Sequence, residues 1–268
     1  MTPDIDAVTR LIREIVDEEV VPRFGRLAEG EVSEKAPGDY VTIADLETER
    51  RLSEALPRLL PGSLVVGEEA AAADLSVLRR VTEDRPVWVI DPVDGTWNFA
   101  EGRQHFATMV ALVRADRVAA AWIHDPLSRE TATAEAGGGA WLGSRRLQVA
   151  AADTPLRMQG ALLAGSFGDP KLIARVRDRR GRVGAIKSLR SAAHEYLRLV
   201  RAETHFALFT KLMPWDHAAG VLIHAEAGGH ARYLDGAAYR PSRTTAPGLL
   251  LAPDEASWRA IEQALLGD

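Results

Sequence analysis

Five carboxylates in this sequence stand where an apolar run ends or a helix begins: Asp45, Glu68, Asp91, Asp94 and Asp216. The densest stretch is Trp88-Val89-Ile90-Asp91-Pro92-Val93-Asp94-Gly95-Thr96-Trp97-Asn98-Phe99. An ionised carboxylate at the end of a buried strand is costly unless a cation compensates it. Side chains outside strand ends converge on the crevice where layered α/β sheets hold ligands. Oxygen donors without nitrogen or sulfur select hard cations, so Mg²⁺ is the expected metal, with Mn²⁺ as a substitute. Pro92 fixes the turn, so Asp91 and Asp94 can face the metal while the Val93 carbonyl supplies a neutral ligand. Gly95 and Thr96 then offer backbone N–H groups suited to a phosphate oxygen, and Asn98 ties the turn together through its amide. Standing alone, an Asp-x-x-Asp-Gly segment is more simply a turn with an Asx cap.

The elements that must position these groups are legible in part. Ile5, Val8, Ile12 and Ile15 predict an amphipathic helix over 4–24, capped by Asp4. Residues 30–38, rich in Gly, Glu and Lys, read as a mobile loop leading into a short strand over 39–45. A helix with Asp45 as its N-cap should run until Pro61-Gly62, interrupted only by Pro57. Leu64 to Gly67 reads as a strand delivering Glu68 and Glu69, and Val87 to Ile90 as the strand of the aspartate motif. From 106 to 149 short strands and glycine turns predict antiparallel hairpins. Gly137-Gly138-Gly139 belongs to one of these, since no Lys-Ser/Thr follows to make a phosphate loop. The remainder alternates: strand 160–166, helix 170–180, strand 183–188, helix 191–203, strand 205–209, a helix from Pro214 to Gly228-Gly229, strand 248–252 and helix 254–266. No flexible linker intervenes. We expect two closely packed lobes, an α+β lobe over 1–150 with most of the metal ligands and an α/β lobe over 151–268 with Asp216 and the substrate-selecting residues.

Composition narrows the function. The 268 residues are 46% hydrophobic, enough for a substantial core. A net charge of −5 argues against nucleic acid as a partner, and the basic run Arg177 to Arg182 reads as a solvated loop or helix end. With no cysteine, disulfides, thiolate zinc sites and cysteine nucleophiles are excluded. No basic-then-apolar leader and no long apolar run occurs, so we expect a cytoplasmic protein without a membrane partner.

The motif does not stand alone. Gly67-Glu68-Glu69, Asp91 to Phe99 and Trp215-Asp216-His217-Ala218-Ala219-Gly220 resemble the three signature segments of the inositol monophosphatase family, within the Mg²⁺-dependent, lithium-sensitive type of phosphatase. Asp39 to Asp45 resembles its upstream segment, and the order suits a similarity over roughly the whole chain. The resemblance implies an α+β fold, a layered αβαβα sandwich of the sugar phosphatase type, and a homodimer that hydrolyses small phosphate monoesters by direct attack of metal-activated water. It implies that Glu68, Asp91 and the Val93 carbonyl hold one ion, that Asp91, Asp94 and Asp216 hold a second, and that a third binds more weakly near Glu68. Thr96 and Asp45 match the pair that orients and deprotonates the water, with Glu68 assisting.

Substrate recognition departs from the family. Where inositol-selective members carry a glutamate seven residues before the aspartate of the Trp-Asp motif, this chain has Phe209. The usual Gly-Ser/Thr-Ala-Ala segment reads Arg190-Ser191-Ala192-Ala193, and Lys211 stands in the loop before Trp215. Arg190 and Lys211 would turn a hydroxyl-seeking pocket toward a second anion; the plainer reading is a helix-start salt bridge for Arg190 and a solvated Lys211. An inositol monophosphate-like polyol or sugar phosphate is the default substrate. Fructose 1,6-bisphosphate or another anionic phosphometabolite is the alternative, and a non-catalytic phosphometabolite-binding protein is the alternative of another class. His105 reads as a structural histidine, and His217 with His224, seven apart on one helix, lack a third nitrogen ligand for zinc.

Overall fold

The structure, a computed structural model, describes residues 3–163 and 169–267. Helix α1 (Ile5–Glu19) buries Val8, Ile12, Ile15 and Val16, and the Asp4 carboxylate accepts from the first free amides. Strands β1 (Val32–Ala36) and β2 (Asp39–Thr42) pair antiparallel, so a hairpin stands where a mobile loop was expected over 30–38. Helix α2 (Ile43–Leu59) corrects a second expectation: its N-cap is Thr42, whose Oγ1 accepts from Ala44 N, while Asp45 sits a turn inside and reaches back to the Thr42 amide. That reciprocal box satisfies two otherwise orphaned donors.

Next come β3 (Leu64–Gly67), α3 (Glu68–Ala73) and β4 (Val87–Asp94). Strand β4 continues past Ile90 through the aspartate motif, with its register to the next strand slipping between Asp91 and Asp94. Pro92 lies in that slip; it has no N–H to give a ladder, and its carbonyl is taken by Thr108 Oγ1 at 2.7 Å. After α4 (Thr96–Ala100), the chain forms β5 (Ala107–Arg114), β6 (Arg117–Asp125), β7 (Glu130–Glu135), β8 (Gly139–Leu142) and a two-residue β9 (Arg145–Arg146), shorter and earlier than the strand expected over 146–149. These complete a seven-stranded sheet in the order β3-β4-β5-β6-β7-β8-β9, with only β3 and β4 parallel.

The second sheet is built from β10 (Gln159–Leu163), β11 (Ala185–Ile186), β12 (Phe206–Phe209), β13 (His230–Tyr233) and β14 (Leu249–Ala252), in the order β11-β10-β12-β14-β13. Part of the strand expected over 160–166 lies outside the described residues, the one expected over 183–188 shrinks to two residues, and β13 was not foreseen. Helices α5 (Pro170–Arg179), α6 (Ala192–Val200), α7 (Pro214–Glu226) and α8 (Glu255–Leu266) complete the fold.

Three cores define the layers. One joins α1 and α2 to one face of the large sheet through Trp88, Ile90, Val110 and Trp122. A second takes the opposite face, with Val87, Val89, Met109 and Ile123, and packs it on α6 and α7, whose other side meets Ala207, Phe209 and Leu251 of the small sheet. The third lies between the far face of the small sheet and α5 and α8. Successive side chains of a strand point to opposite faces, so a strand covered on both sides must be apolar throughout, as Val87 to Ile90 are. The result is the α+β, layered αβαβα sandwich expected. Close approach of α6 and α7 requires Gly220, where a Cβ would lie 2.2 Å from the Tyr196 ring. Among the described residues no helix is long and apolar enough to cross a membrane.

Candidate active site

The end of β4, the start of α3 and the first turns of α6 and α7 meet at one crevice of about 260 Å³. Glu68, Asp91, Val93, Asp94, Gly95, Thr96, Arg190, Lys211 and Asp216 line it, so all the residues singled out for chemistry except Asp45 face the same space. Asp45 lies directly behind, fully buried, with Oδ1 3.2 Å from Thr96 Oγ1. Thr96 Oγ1 is also 2.9 Å from the Val93 carbonyl, one hydroxyl serving two acceptors.

One carboxylate oxygen from each of Asp91, Asp94 and Asp216 lies within 4.8 Å of the others. Asp91 is 1% exposed and its Oδ1 has no hydrogen-bond partner among the described residues. Burial, and then the charges of Glu68, Asp94 and Asp216, push its carboxyl well above the usual range. Burial likewise lifts Asp216 to about 7, with Lys211 opposing. It lifts Asp94 only to about 6, because Ser191 Oγ and the amides of Ala192 and Ala193 donate to that carboxylate. Burial raises Asp45 to about 8 against the two hydrogen bonds from Thr42. An all-oxygen donor set with an orphaned buried carboxylate oxygen fits a hard divalent cation, which removes both the repulsion and the orphan at once.

Several supporting residues escaped the sequence reading. Glu49, one turn along α2 from Asp45, accepts from the amides of Glu69 and Ala70 at 2.8 Å each and so caps α3, the helix that begins with Glu68. Gly67 makes room for it, since a Cβ there would lie 2.2 Å from the Glu49 carboxyl carbon. Lys35 of β1 donates to Glu68 and Glu69 at 2.9 Å each. Burial alone would lower its pKa, but the two glutamates raise it above the usual lysine value. Ser191, at the N-cap of α6, brings the second sheet's helix onto Asp94. A capping serine before Ala192 and the i, i+4 spacing of Asp45 and Glu49 were the available signals; neither names its distant partner.

Asn98 does more than close its own turn: Nδ2 donates toward His105 O, Leu189 O and Arg190 O at 2.7, 2.9 and 3.2 Å, joining the motif to the loop before α6. Among the described residues Arg190 makes no salt bridge; its guanidinium lies 3.7 Å from the centroid of the Trp97 ring. Lys211 sits in the field of Asp216, Glu68, Asp39 and Asp91, which together outweigh burial and raise its pKa. Phe209 stacks on Tyr196 with ring centroids 5.2 Å apart, and His217 meets Phe209 edge-on at 4.8 Å. His217 Nε2 donates to Lys211 O at 2.7 Å and Nδ1 accepts from Tyr196 OH at 3.1 Å. Burial holds its pKa down at about 4, so it is neutral and engaged on both nitrogens. His224 is enclosed deeper in the core, and His105 packs edge-on against His194.

The sequence matches the inositol monophosphatase family over residues 2–266. An inositol-1-monophosphatase of Rhizobium meliloti is 34% identical over 80% of this chain and 79% of that protein. A Pseudomonas aeruginosa protein named Nus factor SuhB is 36% identical over 74% of this chain and 73% of its own. The solved structure of a Thermotoga maritima IMPase superposes with a TM-score of 0.79 at 25% identity, covering 97% of each chain. With the layered fold and the acidic crevice already in view, these likenesses establish that the chain belongs to the inositol monophosphatase family, a family of phosphomonoesterases.

Proposed function

We propose that this protein is a Mg²⁺-dependent phosphomonoesterase that hydrolyses the phosphate ester of a small polyol or sugar. The observation that carries the reading is the convergence of Asp91, Asp94 and Asp216, with Asp91 Oδ1 buried and unpartnered, beside Thr96 and Asp45. Glu68, Asp91 and the Val93 carbonyl would hold one ion and Asp91, Asp94 and Asp216 another, with a third weaker site near Glu68 and Mn²⁺ able to substitute. Bound there, the cations would neutralise phosphoryl oxygens, lower the pKa of water and stabilise the leaving alkoxide. The chain's own residues do the rest. Gly95 and Thr96 offer amides to the phosphate, Thr96 Oγ1 orients the attacking water, and Asp45 Oδ1 receives the proton passed through that hydroxyl. Burial of Asp45 behind Thr96 keeps bulk water from competing for it.

Phosphate release from a panel of sugar and polyol phosphates, with Mg²⁺ and with chelator, tests the reading. Release that needs Mg²⁺ is expected, with inversion at a chiral phosphorus; release at the same rate in chelator, or retention, would overturn it. The alternative of a non-catalytic phosphometabolite binder requires that no substrate be turned over, whereas each catalytic position is filled by a competent residue. The same reading takes the protein as a cytoplasmic homodimer, which light scattering of the purified chain tests for the assembly.

A further inference from the structure

Arg190 is held in a left-handed backbone conformation, φ +59°, which a residue with a Cβ adopts only against steric resistance. In the family pattern glycine stands at this position, where the same backbone is free of that resistance. The loop leaves Arg190 little choice. Its amide donates to Ser188 Oγ at 3.1 Å, its carbonyl accepts from Asn98 Nδ2 at 3.2 Å, and the preceding Leu189 amide donates to Glu195 Oε1 at 2.6 Å. A strained residue kept at a crevice wall points to a use for its side chain.

That side chain is positioned and unspent. The Arg190 guanidinium lies 3.7 Å from the Trp97 ring centroid, and Arg103 lies 4.4 Å from the same centroid. Among the described residues neither guanidinium has an ion-pair or hydrogen-bond partner, although Arg23, Arg51, Arg198 and Arg201 each pair with a glutamate. Stacking occupies the face of a guanidinium and leaves its N–H edge free for a two-toothed grip on an oxyanion. Lys211, grouped with Arg190 by sequence, belongs elsewhere: its charge is set against Asp216, Glu68 and Asp91. The crevice lining offers no carboxylate in the family's glutamate position, where Phe209 stacks on Tyr196 instead.

We propose that Arg190, which lines the crevice on Trp97 with Arg103 against the same ring, forms a subsite for a second oxyanion, a carboxylate or phosphate, on the part of the substrate that leaves as the alcohol. The proposal rests on the phosphomonoesterase reading and names the substrate class within it: phosphate monoesters with a second negative group. Arg190 is then a specificity-determining residue, and its backbone strain is offset when the substrate is bound.

Matched probes test this. 3-Phosphoglycerate against glycerol 3-phosphate reads a carboxylate, and glucose 1,6-bisphosphate against glucose 1-phosphate reads a second phosphate. In the wild type kcat/KM should favour the doubly anionic member of at least one pair. Arg190→Gly, which also relieves the left-handed backbone, should cut that preference by about tenfold or more, the scale of a lost charge-assisted hydrogen bond, and Arg103→Ala should cut it too. Arg190→Lys, keeping the charge without the planar edge, should restore part of it. The pair that loses its preference identifies the anion. A change of equal size on both members of each pair, or no change on either, overturns the subsite. If the wild type releases phosphate from none of the four and from none of the wider panel, the hydrolysis reading fails by itself. Calorimetric titration with the same four compounds in Mg²⁺ then decides the subsite: a tenfold loss of selective binding in Arg190→Gly upholds it, and equal binding overturns it.

Discussion

Crowding of buried carboxylates makes a signed prediction about stability and pH. A carboxyl whose pKa is higher in the fold than in the unfolded chain keeps its proton in the fold after the unfolded chain has lost it. Its contribution is complete below the unfolded value and is lost as pH rises through the folded one. Asp45 moves from 3.8 to about 8, Asp216 from 3.8 to about 7 and Asp91 well upward, each chiefly by burial. The buried histidines act oppositely: His124 and His217 fall to about 4 and His224 to about 3, so stability is lost as pH drops below the unfolded histidine value. Above about pH 7.5 those histidines are nine-tenths or more neutral in both states and give little slope. The clean interval is therefore about pH 7.5 to 8.5. Across it Asp45 alone removes about 0.7 kcal/mol, half of the ~1.4 kcal/mol per pH unit of a fully protonated group because it titrates there, and Asp91 adds to the loss. For a chain of this size 1 kcal/mol shifts Tm by about 2 to 4 °C, so Tm in chelator should be at least about 1.5 °C lower at pH 8.5 than at pH 7.5. Saturating Mg²⁺ should raise Tm more at pH 8.5 than at pH 7.5, because carboxylates bind a cation only when ionised. Scanning calorimetry in chelator and in Mg²⁺ at the two pH values measures both. A Tm in chelator that is flat or rising with pH, or an Mg²⁺ increment equal at the two, would refute the reasoning.

Four substitutions separate the roles of the acidic and supporting groups. Asp216→Asn should abolish Mg²⁺-dependent phosphate release yet leave the chelated protein as stable or more so, because it removes one repelling charge; Asp94→Asn should abolish release and also cost about 1–3 kcal/mol in urea unfolding, since the amide cannot accept from Ser191 Oγ and the Ala192 and Ala193 amides together. Equal stability of the two variants would undo the distinction. Glu49→Gln should lose about 1–3 kcal/mol by leaving one buried amide of α3 unpaired, and should weaken Mn²⁺ binding in calorimetric titration; unchanged Mn²⁺ affinity would sever Glu49 from Glu68. Asn98→Ala should lower the urea midpoint by a similar free energy without changing the m-value, and an unaltered midpoint would mean that the contacts to His105, Leu189 and Arg190 carry no net stability.

The carboxylates of the crevice were legible because an acid at the end of an apolar strand contradicts its surroundings unless something compensates it. The sandwich came from the resemblance of the signature segments, and the residues themselves showed only a strand apolar on both sides. Trp88 and Ile90 face one core and Val87 and Val89 the other, so the strand had to be apolar on both sides. What the sequence hid are contacts whose residue types are ordinary and whose partners are remote. Glu49 looks like any polar residue of α2, and only the fold turns it toward Glu69 and Ala70, twenty residues away. The β1 strand, Val-Ser-Glu-Lys-Ala, carries no alternating apolar signal, so its pairing with β2, which sets Lys35 against Glu68, could not be read from periodicity.

Asp94 shows why these hidden contacts matter to the chemistry. It leaves the end of β4 in the large sheet, yet its carboxylate is held by the N-terminus of α6, a helix that also packs on the small sheet. Those donated hydrogen bonds oppose the rise that burial imposes on the Asp94 carboxyl and favour its ionised form. The carboxylate so supported is the one that ties the two sheets together. A cation arriving at the crevice would meet it already fixed in place. Asp91, without such donors, has the stronger demand for positive charge. The charge and position of Asp94 are therefore supported by α6, from outside the motif that contains it.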